Sequence, residues 1–170
     1  NKSLIYQAKY FSGDWSGQVT AYRLNNNGVI TSTEWEADVL LNAVAPNSRE
    51  ILTFNETSKK GVPLRWVATP TTTTISAAIK TALGKNAAGT IDTLGEKRLL
   101  WVRGNGTDEG ATLRKRARTK LGDIIDSSPV FVAEPQSRVN DPTFDIYYNN
   151  KKNREPMLYV GANDGMLHAF

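Results

Sequence analysis

The chain has 170 residues, a net charge of +4 and a hydrophobic fraction of 39%, enough for a single core or at most two small ones. It holds no Cys and one His, His168, which excludes disulfides, thiolate metal sites, cysteine nucleophiles and a multi-histidine centre built from this chain alone. No apolar run approaches the roughly 20 residues needed to cross a bilayer, and Asn1-Lys2-Ser3 lacks an initiating Met and a signal-like stretch, so a piece cut from a longer precursor is expected.

Leu4 to Leu24 reads as two strands around a turn. Tyr6, Ala8 and Tyr10, then Val19 and Ala21, alternate with polar partners, and Gly13 and Gly17 bracket a five-residue loop in which glycine supplies positive φ. Asn25 to Gly28 is a turn. Thr33 to Val44 fits a helix, because Thr33-Glu34-Trp35-Glu36 has the spacing of a capping box and Trp35, Leu40, Leu41 and Val44 form a stripe ahead of Pro46. Arg49 to Phe54 returns to strand character, Lys59-Lys60-Gly61 is a turn, and Pro63 to Val67 fits a short strand. The four threonines from Thr71 lead into a helix over Ile75 to Leu83, closed by Gly84. Residues 84–95 are loop-rich, and the apolar run inside Arg98 to Arg103 predicts a strand stopped by Gly104. Leu113 to Lys120 is a short helix or an exposed arm. Pro129 to Ala133 predicts an apolar strand, Glu134 to Pro156 a polar excursion ordered locally around Phe144 to Tyr148, and Met157 to Phe170 a hairpin around Gly161 to Gly165.

The charge is local. Arg114, Lys115, Arg116, Arg118 and Lys120 lie within seven residues that contain no acid, and these five more than account for the net charge. Such a run is a candidate polyanion contact, because cations that neutralise phosphates release counterions; it is equally a solvated face. It contains no aromatic residue that could stack on a base.

Phe11-Ser-Gly-Asp-Trp-Ser-Gly-Gln-Val-Thr-Ala-Tyr22 aligns without gaps with Tyr159-Val-Gly-Ala-Asn-Asp-Gly-Met-Leu-His-Ala-Phe170, matching Gly13 to Gly161 and Gly17 to Gly165. Repeated glycine-bracketed hairpins are how a β-propeller builds its blades. The reading is a mainly β fold: a partial β-propeller with quinoprotein-like blades and short helical insertions. Residues 1–170 would cover its first blades, truncated after Phe170, with Gly13, Gly17, Gly161 and Gly165 as blade-turn glycines. The other account is two unrelated hairpins with common turn chemistry.

Leu121-Gly-Asp-Ile-Ile-Asp-Ser-Ser-Pro-Val-Phe-Val132 followed by Met157-Leu-Tyr-Val-Gly-Ala-Asn-Asp-Gly-Met-Leu-His-Ala-Phe170 resembles the propeller domain of the PilC/PilY family of type IV pilus biogenesis and tip adhesin proteins. Asp14 to Gly17, Trp35 to Leu41, Arg49 to Thr53 and Trp101 to Gly104 resemble earlier parts of that domain in the same order. The resemblance implies an exported protein of the periplasm, outer-membrane surface or pilus tip of a Gram-negative bacterium. It implies a non-enzymatic binding and regulatory scaffold in pilus extension, adhesion, twitching motility or DNA uptake. Its expected partners are pilins or minor pilins, and further candidates are a host surface and DNA; no membrane insertion is expected. The family's calcium loop of alternating acids has no counterpart here, since Asn163-Asp164-Gly165 offers two oxygen side chains and no downstream Glu. Calcium is therefore expected only beyond Phe170, with no cofactor, metal or catalytic residue in this chain.

Individual side chains carry less. His168 on its alternating strand is read as structural or surface before ligand contact. Asp123 and Asp126 are read as turn caps before a carboxylate pair, and Trp15 as a loop aromatic packed between blades before a ligand contact. Alternative functions are a quinone-dependent dehydrogenase, whose propellers share the hairpin style of Leu158 to Ala169, and a DNA-binding module using Arg114 to Lys120.

Overall fold

The computed structural model describes residues 3–136 and 139–170, so Asn1 and Lys2 and one stretch of the polar excursion lie outside it. The described residues form eight strands in three antiparallel sheets, with four helices. The fold is mainly β. A propeller blade is typically a four-stranded sheet; these sheets hold three, two and three strands. The chain divides into two units, one of Asn1–Leu41 with Arg118–Phe170 and one of Asn42–Ala117.

The first unit holds both three-stranded sheets. Strands β1 (Ser3–Phe11), β2 (Ser16–Leu24) and β3 (Ile30–Glu36) form one meander. The helix α1 (Ala37–Ala43) follows directly. Strands β6 (Val130–Val132), β7 (Met157–Ala162) and β8 (Met166–Ala169) form the other, and α4 (Pro142–Lys151) lies between β6 and β7 in sequence. The predicted helix over Thr33 to Val44 is thus half wrong. Thr33 to Glu36 finish a strand, because Arg23 pairs with Glu34 across β2 and β3 and Gln18 donates to Glu36 at 3.1 Å. A Thr-x-x-Glu spacing followed by an apolar residue suits a half-buried strand as well as a capping box, and the cross-strand partners decide.

Val19, Ala37, Leu41, Leu121, Ile124, Leu158 and Val160 form the core of this unit. Aromatic rings flank it in a connected row. Tyr6 on β1 lies 5.9 Å from Trp35 on β3 and 5.8 Å from Phe131 on β6, and Trp35 lies 6.3 Å from Phe170. Such pairs add about 0.5–1.5 kcal/mol each beyond the burial of their area. The α4 helix starts where Asp141 accepts from the Thr143 amide at 2.7 Å and Pro142 takes the first position, where a missing N–H costs nothing.

The second unit holds the hairpin of β4 (Leu52–Asn55) and β5 (Lys60–Pro63), then α2 (Ala77–Leu83) and α3 (Gly95–Val102). The predicted turn at Lys59 to Gly61 and strand from Pro63 both shift: Lys59 takes a positive φ of 57°, and β5 ends at Pro63, with a last cross-chain bond from the Leu64 amide to the Ile51 carbonyl at 2.8 Å. The second helix is as expected, with Ser76 accepting from the Ile79 amide at 3.2 Å and Gly84 closing it. The predicted strand over Arg98 to Arg103 is a helix. Glu96, Lys97, Arg98 and Leu99 are good helix formers. Gly104, at φ 103°, donates to the Trp101 carbonyl at 2.8 Å while Asn105 donates to Leu100 at 2.9 Å, which closes the helix with a Schellman motif. Buried Arg103 then donates to the Leu64, Pro46 and Arg49 carbonyls at 2.9, 2.9 and 2.7 Å. Burial lowers its pKa first, and the charge of Arg65 lowers it further.

Candidate functional site

In the first unit the peptide from Leu121 to Ser127 ties β2 to the turn between β7 and β8. Leu121 and Ile124 are buried in the core, which fixes the path of the backbone between them. On one side the Gly17 amide donates to the Leu121 carbonyl at 3.1 Å, and Ser16 bridges Gly122. On the other side the Gly122 amide donates to Asp164 at 3.0 Å, and the Asn163 amide donates to the Asp123 carbonyl at 2.9 Å. Asn163 Nδ2 also reaches the Asp123 carboxylate at 2.6 Å, and the Gly161 amide donates to Ser127 Oγ at 3.0 Å. The approach is too close for side chains. A Cβ on Gly17 would stand 2.2 Å from the Gly122 oxygen, and one on Gly122 would stand 2.6 Å from the Asp164 nitrogen.

Asp164 is the hub of this tie. One oxygen accepts from the Met166 amide at 3.1 Å, the other from Gly122, and His168 Nε2 lies 2.9 Å from the latter. His168 is 7% exposed and stacks on Phe170 at 6.0 Å. Burial pushes the Asp164 carboxyl up, but the hydrogen bond and charge of His168, with the Gly122 and Met166 amides, outweigh it and hold the group below its ordinary value. A depressed carboxyl stabilises the fold fully above its unfolded value of 3.8, and that contribution is lost as pH falls through the lower folded value. Asp164→Asn is therefore expected to flatten the acid limb of stability against pH, measured as the urea midpoint. An unchanged limb would contradict the tie.

The glycines divide by role. Gly165, at φ 82°, makes the tight β7–β8 turn with its amide 3.1 Å from the Ala162 carbonyl. Gly17 and Gly161 lie within β2 and β7, and Gly13 sits in open space. Positive φ in the first hairpin falls on Trp15, at 53°, and on neither Gly13 nor Gly17. The self-match therefore does not lay turn on turn: Phe11 closes β1 whereas Tyr159 sits inside β7. Both segments are antiparallel hairpins all the same. Trp15 is 58% exposed. Beside it Asp14 accepts from Ser16 Oγ at 2.6 Å and lies 3.4 Å from Arg118.

The basic run is neither a helix nor a free arm. Arg114, Lys115 and Arg116 belong to the second unit, Arg118 and Lys120 to the first. Arg114 and Lys115 are exposed. Arg116 pairs with Glu109 at 2.5 Å, donates to the Trp101 and Asn105 carbonyls at 3.0 and 3.1 Å, and lies 4.6 Å from the centre of the Trp101 ring. Arg118 stacks over Phe11 at 4.0 Å, and Lys120 reaches the Leu41 carbonyl at 3.5 Å. Most of the run's cations thus have jobs inside the fold that a charge count does not show.

Among the described residues, no group of three or more His, Asp or Glu side chains is placed to hold a metal ion. The Asn163–Gly165 turn does not fit calcium, because both Asp164 oxygens already accept from Gly122, Met166 and His168. No helix among the described residues is long and apolar enough to cross a membrane.

No family model matches the chain, and no solved structure matches it significantly. Curated proteins do. A type IV pilus biogenesis factor PilY1 homolog of Xylella fastidiosa is 30% identical over 177 residues, which is 99% of this chain and 13% of the relative. A second match to a homolog of that name from the same organism is 31% identical over 199 residues, 97% of this chain and 14% of the relative. The type IV pilus biogenesis factor PilY1 of Pseudomonas aeruginosa is 30% identical over 178 residues, 97% of this chain and 15% of the relative. The chain therefore spans about a seventh of the length of these relatives, 97–99% of its own residues align with them, and over that stretch it is PilY1-like, similar to proteins named as type IV pilus biogenesis factors.

Proposed function

We propose that this chain serves type IV pilus assembly as a non-enzymatic binding and regulatory segment. The observation that supports this most is the alignment of 97–99% of its residues with proteins named as pilus biogenesis factors in two organisms. The tie around Gly17, Gly122 and Asp164 agrees with a rigid platform: it commits the chain's one His and a half-buried carboxylate to holding hairpins together. In this reading the two three-stranded meanders are parts of a β-propeller, the partners are pilus components, and the setting is the bacterial envelope or the pilus itself. Pilus extension and surface adhesion are the activities it would serve, with twitching motility and DNA uptake following from them. The relatives' printed names give the dehydrogenase alternative no support.

The test is made in the native host. Replacing these 170 residues by a flexible linker, with the protein still produced and exported, is expected to abolish surface pili counted by electron microscopy. Normal pilus numbers with the segment removed would overturn the proposal.

A further inference from the structure

The second unit carries a cavity of about 440 Å³ that the pilus reading leaves unused. Its walls come from α2, from the start of α3 and from Trp66, and Ile91 lines it as well. Glycine shapes it. Gly84 ends α2 and Gly95 begins α3, and a Cβ on Gly95 would stand 3.0 Å from the Trp66 ring and 3.3 Å from the Gly84 Cα. Bare backbone at these two positions lets the helices converge and leaves the indole as an apolar wall. Ile91 adds an apolar ledge that is 77% exposed.

Two ionisable side chains line this cavity, and they differ. Asp92 gives its oxygens to Arg98 at 2.7 and 2.6 Å. The Arg98 hydrogen bond first, then the Leu94 amide, hold its carboxyl at about 2, so its charge is matched at neutral pH. Lys80 is not matched. Its Nζ donates to the Ala68 carbonyl and stands 5.0 Å from the centre of the Trp66 ring, and no carboxylate pairs with it among the described residues. The carbonyl and the ring hold the ammonium in place without neutralising it. An unneutralised cation fixed beside an apolar wall is complementary to a carboxylate carried next to a hydrophobic group.

We propose that this cavity docks an acidic peptide segment of a partner protein. An aliphatic or aromatic side chain of the partner lies against Trp66 and Ile91, and a neighbouring Asp or Glu carboxylate pairs with Lys80 Nζ. The volume is at the small end of the range for ligand sites, about 300–1,000 Å³, and suits a side chain better than a large cofactor. The exposed Ile91 ledge gives an extended backbone something to lie on, and the second unit, with twelve Lys and Arg against six Asp and Glu, favours an acidic partner. This inference rests on the cavity alone and stands or falls apart from the pilus reading.

Amide-resolved NMR titration of the whole chain tests it, with N-acetyl-Ala-Leu-Glu-Ala-amide as the probe. Saturable shifts are expected at the Trp66 indole and at the Lys80 and Thr81 amides. Replacing Glu by Gln in the peptide, or making Lys80→Gln in the protein, is expected to weaken binding about threefold to fivefold, the range for a partly exposed ion pair. Since Lys80 also holds the Ala68 carbonyl, Ile91→Ser gives a second variant on an exposed side chain, expected to weaken binding about fivefold through lost apolar contact. The proposal is overturned by the absence of saturable shifts, or by equal affinity for the Glu and Gln peptides. It is also overturned if free 4-methylpentanoate binds as tightly as the peptide, since the cavity would then be a small-molecule site.

Discussion

Gly17→Ala is expected to destabilise the first unit by about 2–4 kcal/mol, while Gly13→Ala changes it by less than about 0.5 kcal/mol. The two positions lie in one hairpin and differ in what a methyl group would meet. At Gly13 nothing lies within 4 Å, whereas at Gly17 the new carbon would stand 2.2 Å from the Gly122 carbonyl oxygen. That oxygen is backbone, so relief requires the Leu121–Ser127 peptide to move. Movement stretches the Gly17 to Leu121 hydrogen bond at 3.1 Å and the Gly122 to Asp164 bond at 3.0 Å together. Denaturant midpoints followed by tryptophan fluorescence report the difference. Trp15 and Trp35 belong to the first unit and Trp66 and Trp101 to the second, so single-Trp versions assign the loss to a unit. Equal effects at Gly13 and Gly17 would contradict the tie.

Arg103→Ala is expected to cost the second unit about 3–5 kcal/mol. Arg103 is 2% exposed and supplies hydrogen bonds to three carbonyls, from Pro46, Arg49 and Leu64. Truncation leaves the Arg49 carbonyl buried, and the half-buried Pro46 and Leu64 carbonyls, without this donor, and opens a cavity of guanidinium size. Lysine is not a substitute. Its ammonium is a point donor, while the planar fork of arginine spreads donors over partners that lie apart in sequence. Arg103→Lys should therefore recover less than half of the loss in the same unfolding measurement. Recovery to the wild-type midpoint would show that charge, and not the geometry of the fork, holds these loops.

The hairpins of the first unit are legible in the sequence because alternation and turn glycines are local signals. β1, β2, β7 and β8 stand where Tyr6, Ala8, Val19 and Leu158 place them. The second helix is legible for the same reason at its end, which Gly84 marks, while its start lies at the Ser76 cap and not at Ile75. Leu99 to Val102 is different. Four apolar residues in a row fit a buried strand or one side of a helix, and the choice lies in the helix formers before them and in the Gly104 stop after them. Thr33 to Glu36 satisfy a capping pattern, but Arg23 and Gln18, on another strand, draw Glu34 and Glu36 into pairing. The candidate site is the least legible part. Gly122 and Asp164 are separated by 42 positions, and nothing in either local stretch names the other. The resemblance to a pilus family rests on these same residues, yet their work as a tie appears only once the hairpins are folded. The basic run misleads in the opposite direction. Its five charges are conspicuous in the sequence, while Arg116 is spent on Glu109 and on the Trp101 ring.

Surface pili counted on cells whose full-length protein carries Gly17→Val, beside cells carrying Gly13→Val, test the central claim most directly. The claim is that the tied hairpins of this chain are what pilus assembly uses. With both proteins exported to equal levels, Gly13→Val is expected to leave pilus numbers at the wild-type level and Gly17→Val to remove most pili. Wild-type pilus numbers with Gly17→Val, in a protein shown to have lost the stability of its first unit, would contradict the account.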